Sequence, residues 1–207
     1  LGGLVLFFCL FSESAFAVNS NPSVGTISPF YGSSQPNTPV TFTTTYTDPN
    51  GWQDIKTCLF LINSSLIGTN SFYGYYDQNA NKLYIRNDAN TAWVGGFAPG
   101  TANTIENSYG KLDCASTTGS GSSTALTVNW KIVFKYTFTG TKNSYLYVKD
   151  DSNAYQGWLQ KGTFTIQNRP PVLSPIGSKN IFVQSAGLTS AGASVTSQPV
   201  NPAQITF

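Results

Sequence analysis

An apolar side chain at every second position over residues 126–138 is the feature that most restricts the fold of this chain. The apolar positions are Leu126, Val128, Trp130, Ile132, Phe134, Tyr136 and Phe138. The residues between them are Thr127, Asn129, Lys131, Val133, Lys135 and Thr137. Successive side chains of a β-strand point to opposite faces, so the pattern predicts one long strand with a core face and a face turned mostly to water.

The same period of two recurs along the chain, whereas apolar spacing typical of a helix never persists beyond one turn. Val40, Phe42 and Tyr46 alternate with threonines, and residues 55–62 are apolar on both faces, as in a central strand. Further strands are predicted at residues 23–27, 72–77, 82–87, 91–97, 145–149 and 163–167. The Gly- and Ser-rich residues 115–124 predict a flexible loop. Eight or nine strands indicate an all-β sandwich, enlarged by an aromatic meander over residues 72–97.

Two segments flank the predicted sandwich domain, which we place at residues 18–167. Residues 1–17 combine an apolar run with the small-x-small spacing of Ala15 and Ala17, which predicts a cleaved signal peptide; a short buried strand is the alternative. Pro170 and Pro171 predict a stiff boundary. Residues 168–179 are interpreted as a proline-rich linker and the start of a second unit, and residues 180–207 as a truncated or poorly ordered segment.

Three stretches carry recognisable motifs: TDPNGWQDI (residues 47–55), YLYVKDDSNAYQGW (residues 145–158) and NRPPVLSPIGSK (residues 168–179). Together they resemble the Ig-like, cadherin-like and PKD-like modules that recur in bacterial surface and secreted proteins. The resemblance implies an enlarged immunoglobulin-like β-sandwich, a secreted or cell-surface location in a bacterium, and neighbouring domains of the same polypeptide as partners. It also implies a spacer, adhesive or accessory binding role. Asn50 stands where these modules carry a second aspartate, and their acidic turn is missing after Lys179.

Composition excludes several classes of function. The chain contains no histidine, which excludes Ser-His-Asp and Cys-His catalysis and histidine-ligated zinc or copper. Its carboxylates fall mostly in turns, which disfavours a glycosidase pair. Lys and Arg are scattered singly and the net charge is +2, so nucleic acid is not an expected partner. The apolar run of residues 4–11 is too short to span a bilayer. We therefore predict a non-catalytic structural or adhesive module of a larger secreted or surface protein.

A calcium site is the first candidate for binding chemistry. Its predicted ligands are Asp48, Asn50, Asp54, Asp150, Asp151 and Asn153. In an Ig-like sandwich, the loop after the second strand and the loop of the last hairpin emerge at one end, so these oxygen ligands are expected to converge. The alternative is that both segments are ordinary type I turns with their preferred residues.

An aromatic surface is the second candidate, and it carries the alternative function of a carbohydrate-binding accessory module. The predicted ligand-binding residues are Tyr73, Tyr75, Tyr76, Tyr84, Trp93 and Trp158. Their number exceeds what one core face needs, and aromatic rings on a sheet offer a large apolar area with a polar edge for stacking on sugars. The alternative is that they form an enlarged core or cross-strand pairs. Surface glycans or proteins are the corresponding partners.

Cys58 and Cys114 would remain after removal of the signal peptide. In an oxidising compartment, we predict a disulfide between them, which would stabilise the fold by roughly 4 kcal/mol. Two buried free thiols are the alternative.

Overall fold

This computed structural model describes residues 18–168, which contain thirteen strands and two short 3₁₀ helices. The strands are β1 (Ser23–Ser28), β2 (Tyr31–Ser34), β3 (Pro39–Thr47), β4 (Ile55–Asn63), β5 (Phe72–Asp77), β6 (Lys82–Arg86), β7 (Trp93–Phe97), β8 (Thr104–Glu106), β9 (Gly110–Asp113), β10 (Thr118–Ser122), β11 (Ala125–Phe134), β12 (Gly140–Asp150) and β13 (Tyr155–Ile166). The 3₁₀ helices are Trp52–Asp54 and Tyr136–Phe138. The predicted signal peptide, proline-rich linker and second unit lie outside the described residues.

The strands form two sheets with the connectivity of an immunoglobulin variable-type sandwich. The first sheet has the order β1-β3-β11-β9-β8, with β10 also paired to β11, and the second has the order β2-β13-β12-β4-β5-β6-β7. In a variable-type domain, strands A, B, E and D face a sheet of G, F, C, C′ and C″. Here β1, β3, β11 and β9 take the first set of positions, and β13, β12, β4, β5 and β6 take the second. The prediction of an enlarged Ig-like all-β sandwich with an aromatic meander is confirmed.

The core lies between the sheets and is rich in aromatic rings. Phe42 on β3 lies 5.4 Å from Phe60 on β4 and 5.0 Å from Phe164 on β13, measured between ring centroids. Trp130 on β11 is fully buried, and its Nε1 donates a hydrogen bond of 2.9 Å to Thr44 Oγ1. Each fully buried side chain of this size stabilises the fold by roughly 1.5–3 kcal/mol. The core therefore packs against the inner face of the second sheet and leaves the outer face of that sheet uncovered.

The alternating pattern of residues 126–138 continues beyond the strand itself. β11 ends at Phe134, and residues Tyr136–Phe138 form a 3₁₀ helix in which Phe138 N donates to Lys135 O. The helix keeps Phe138 in the core, stacked 5.8 Å from Phe134, but leaves Tyr136 48% exposed. The prediction of a single strand with Tyr136 on the core face was therefore wrong.

The predicted flexible loop at residues 115–124 contains strand β10, which pairs in register with β11. A Cβ atom on Gly121 would lie 1.9 Å from the Trp52 ring, and one on Gly119 would lie 2.7 Å from the Tyr76 hydroxyl. These glycines let the strand pass directly under two aromatic side chains. The glycines of β10 permit this close packing. Because Gly and Ser are also typical of flexible loops, composition alone indicated a loop.

The predicted bridge between Cys58 and Cys114 is not formed, because both cysteines are free and fully buried. Each packs in the hydrophobic core as a small apolar side chain. The alternative of two buried thiols is the one that the structure supports. No helix within residues 18–168 has the length and apolar character needed to cross a bilayer.

Candidate binding groove and acidic cluster

The outer face of the second sheet carries a continuous group of aromatic side chains. Alternation along each strand turns one set of residues inward and the other outward, and the outward set includes Tyr73 and Tyr75 on β5 and Tyr84 on β6. Trp93 on β7 and Trp158 on β13 extend the group to either side. All five side chains are partly exposed. We call this face, together with Tyr147 on β12, the aromatic face.

Ring contacts link the members of the aromatic face. Tyr73 lies 5.0 Å from Trp93 and 5.4 Å from Trp158, both edge to face. Tyr75 stacks on Tyr84 at 5.3 Å, which is a directly opposed cross-strand pair. Such pairs contribute roughly 0.5–1.5 kcal/mol each beyond burial, so the rings hold one another in place.

A groove of about 400 Å³ opens in the middle of this face. Its lining residues are Thr57, Leu59, Tyr73, Tyr75, Arg86, Trp93, Tyr147, Lys149 and Trp158. Leu59, only 9% exposed, is paired with Tyr75 on one side and Tyr147 on the other and forms the floor. The volume lies in the range of ordinary ligand sites. The lining contains two cations and no carboxylate.

The phenols of the groove are neutral hydrogen-bonding groups at physiological pH. Burial raises the pKa of Tyr73 above the ordinary value for tyrosine, and burial together with the neighbouring Asp77 carboxylate raises that of Tyr75. Burial likewise raises the pKa of Tyr147, with a further contribution from Tyr155. Each hydroxyl therefore keeps its proton and can both donate and accept a hydrogen bond.

The structure places five of the six predicted aromatic residues on one face and moves the sixth to the core. Tyr76 is 5% exposed, and its hydroxyl donates to Asn81 Oδ1 at 3.0 Å. It alternates with Tyr75 on β5 and therefore points inward, so its assignment to the ligand-binding surface was wrong. Sequence reasoning also missed Tyr147, Arg86 and Lys149, although the spacing of Tyr147 and Lys149 on the apolar segment 145–149 was a usable signal.

A cluster of carboxylates lies at the end of the sandwich where the β3–β4 and β12–β13 connections meet. Asp48, Asp54 and Asp150 each place one carboxylate oxygen within 4.8 Å of the others. Asp48 and Asp150 are fully buried, whereas Asp54 is partly exposed. We call these three residues the acidic cluster. Three of the six predicted calcium ligands are thus brought together.

Two of the other three predicted ligands use their side-chain oxygens in hydrogen bonds, and the third is an exposed turn residue. Asn50 Oδ1 accepts a hydrogen bond of 2.7 Å from Ser20 N. Asp151 Oδ1 accepts one of 2.6 Å from Asn79 Nδ2, on the turn between β5 and β6. Asn153 is an exposed turn residue with a positive φ of 69°. These residues shape the loops around the cluster.

Electrostatics within the acidic cluster disfavour three negative charges. Burial raises the pKa of Asp48, and the nearby charge of Asp150 adds to the shift. Burial also raises the pKa of Asp54, with Asp48, Asp150 and Asp151 contributing further. Neutral carboxyls or an added positive charge would relieve this repulsion.

Comparisons with known proteins give few matches. No family model matches the chain, and no curated protein matches it. Among solved structures, the chain is similar to AvmM, described as catalysing macrocyclization in alchivemycin A biosynthesis, with 13% identity over 79% of this chain and 98% of that chain, and a TM-score of 0.36. It is also similar to murine CRIg, with 12% identity over 73% of this chain and all of that chain, and a TM-score of 0.32. At these values neither likeness bears on function.

Proposed function

We propose that this chain is a non-catalytic adhesive module of a secreted or surface protein, and that it binds carbohydrate in the groove of the aromatic face. The observation that carries the proposal is the arrangement of partly exposed aromatic rings around Leu59. Cross-strand ring pairs also stabilise a sheet on its outer face. Partly exposed rings that surround a groove in addition offer stacking surfaces to a ligand.

The lining of the groove supports binding in preference to catalysis. Hydrolysis of a glycosidic bond commonly uses two carboxyl groups on either side of the scissile bond, whereas the groove is lined by no carboxylate. Its polar groups are phenols, the Thr57 hydroxyl and two cations. These groups can hydrogen-bond to sugar hydroxyls and fix the orientation of a stacked ring.

The charge of the groove favours a glycan that carries acidic groups. Arg86 and Lys149 both line it, and neither forms a salt bridge within residues 18–168. Arg86 Nε is buried without a hydrogen-bond partner among the described residues. A carboxylate or sulfate on the sugar would supply acceptors for both cations.

Affinity electrophoresis of the full chain through gels containing neutral and acidic polysaccharides tests this proposal. We expect retardation that is lost in Trp158→Ala and in Trp93→Ala, each costing roughly tenfold in affinity. Tyr136→Ala is the matched control, because Tyr136 is an exposed aromatic residue outside the groove. The proposal fails if no polysaccharide retards the wild type, or if the control variant loses binding as the groove variants do.

A further inference from the structure

The acidic cluster is a separate site at the end of the sandwich. Asp48 and Asp150 have no exposed surface, and no salt bridge within residues 18–168 involves either of them or Asp54. Buried carboxylates are ordinarily paired, protonated or bound to a metal ion, because a bare buried charge is unfavourable. Three converging carboxylates without a salt-bridge partner are therefore stabilised either by protonation or by a bound cation.

The hydrogen bonding of Asp48 provides a second observation. Its Oδ1 accepts a hydrogen bond of 2.8 Å from Asn50 N, but its Oδ2 is buried and has no partner among the described residues. Buried carboxylate oxygens nearly always have a partner. The free oxygen belongs to a carboxylate that already lies against two others, so it needs a donor or a cation.

The spacing of the three carboxylates fits a hard cation with oxygen ligands. Ca²⁺ binds oxygens at about 2.3–2.6 Å, so two of its ligands lie no more than about 5 Å apart. The separation of at most 4.8 Å within the acidic cluster meets this limit. Carboxylates that bind in bidentate fashion, amide oxygens and water can complete the six to eight ligands that Ca²⁺ takes.

Access to the acidic cluster comes from the side of Asp54. This residue and Asn19, Asn50, Gln53 and Ser152 line a cleft of about 470 Å³. All five offer oxygen atoms, and none carries a positive charge. The cleft therefore gives solvent access to Asp54, whose carboxylate lies within 4.8 Å of those of Asp48 and Asp150.

We propose that Asp48, Asp54 and Asp150 bind one divalent cation, Ca²⁺ in preference to Mg²⁺. Asp48 and Asp54 lie in the β3–β4 connection and Asp150 lies at the end of β12, so the three ligands are not held in one octahedral arrangement. The flexible coordination of Ca²⁺ suits such a set better than the strict geometry that Mg²⁺ requires. Asp150 Oδ2 accepts a hydrogen bond of 2.8 Å from Asn19 Nδ2, and its Oδ1 accepts one of 2.7 Å from Ala154 N, so this carboxylate is held in place and also ties the segment before β1 to the end of the sandwich. The site is independent of the aromatic face.

The test uses Asp54→Asn, because Asp54 is partly exposed and its hydrogen bonds to Gly51 and Asp151 run through backbone atoms, so the variant is expected to fold. Asp88→Asn is the matched control, since Asp88 is an aspartate that accepts hydrogen bonds from Ser108 in another turn. Thermal unfolding of the chelator-treated full chain is followed in EGTA, in CaCl₂ up to about 10 mM and in MgCl₂. Isothermal titration with CaCl₂ measures binding directly.

We expect CaCl₂ to raise the melting temperature of the wild type and of Asp88→Asn by several degrees, with one binding site in the titration. Asp54→Asn should keep the melting temperature that it has in EGTA. Identical wild-type melting in EGTA and CaCl₂ with no heat of binding, or an undiminished response in Asp54→Asn, would overturn the site. An equal rise in MgCl₂ would overturn the assignment of Ca²⁺.

Discussion

The guanidinium carbon of Arg86 lies 4.2 Å from the ring centroid of Trp93, its directly opposed partner on the neighbouring strand. This cation–π contact holds the charge of Arg86 over the aromatic face and keeps it from extending into solvent. The same guanidinium lies 5.9 Å from the Tyr73 ring. The groove therefore has a cation fixed beside its stacking rings, and this arrangement leads to the first prediction.

Replacement of Arg86 by glutamine should separate acidic from neutral ligands. In Arg86→Gln, we expect affinity for a polyuronate to fall roughly tenfold, whereas affinity for a neutral glucan stays within about twofold. Salt should weaken polyuronate binding to the wild type more than to the variant, since screening acts on the charge that the variant lacks. Isothermal titration at two salt concentrations measures both effects.

Lys111→Gln is the control for this experiment, because Lys111 lies on β9 of the opposite sheet. It should bind both polysaccharides as the wild type does. An equal loss of acidic and neutral binding in Arg86→Gln would show that Arg86 supports the rings without selecting charge.

Gly121 should tolerate no side chain. A Cβ atom there would lie 1.9 Å from the Trp52 ring, so Gly121→Ala must displace the indole or the strand. We expect a loss of roughly 1–3 kcal/mol in the free energy of unfolding, measured by urea denaturation. Gly157→Ala is the matched control, because a Cβ atom at Gly157 meets nothing within 4 Å. Equal stability of the two variants would contradict the packing of Trp52 on β10.

Cys58 and Cys114 should resist alkylation in the folded protein at pH 8. Burial raises the pKa of the Cys58 thiol well above its ordinary value, and burial together with the charge of Asp113 raises that of Cys114 to about 11. Both thiols are therefore protonated as well as inaccessible, and only the thiolate reacts. Peptide mass spectrometry should find neither residue labelled by iodoacetamide in buffer, and both labelled in denaturant without reductant. Labelling in denaturant only after reduction would show that they are bridged.

Much of the fold follows from local pattern, because alternation reports which face of a strand is buried. The bounds of β5 match the prediction at both ends, since turn residues follow a run in which every second side chain is buried. The predicted strands at residues 145–149 and 163–167 are parts of longer strands. β12 begins in the polar residues 140–144, and β13 begins at Tyr155, where two register shifts against β12 interrupt the alternation. Backbone pairing leaves little trace in the sequence.

The features that the sequence did not predict depend on packing between residues that lie far apart in the chain. The glycines of β10 have the composition of a loop, and only contact with Trp52 and Tyr76 explains them. The acidic cluster was partly predictable, because strand order places the loops of Asp48 and Asp150 at one end. The sequence does not show that Asp151 turns toward Asn79 while Asp54 turns inward. Register likewise decides that Tyr75 faces outward and Tyr76 inward.

The four indole groups of the chain provide the most direct test of the aromatic face. Trp93 and Trp158 line the groove, Trp130 is fully buried, and Trp52 packs against the core beside Gly121. In ¹H–¹⁵N spectra recorded during titration with acidic oligosaccharide, we expect the indole signals of Trp93 and Trp158 to shift in proportion to saturation. Those of Trp52 and Trp130 should stay in place. Unchanged signals from Trp93 and Trp158 at saturating ligand would contradict the account.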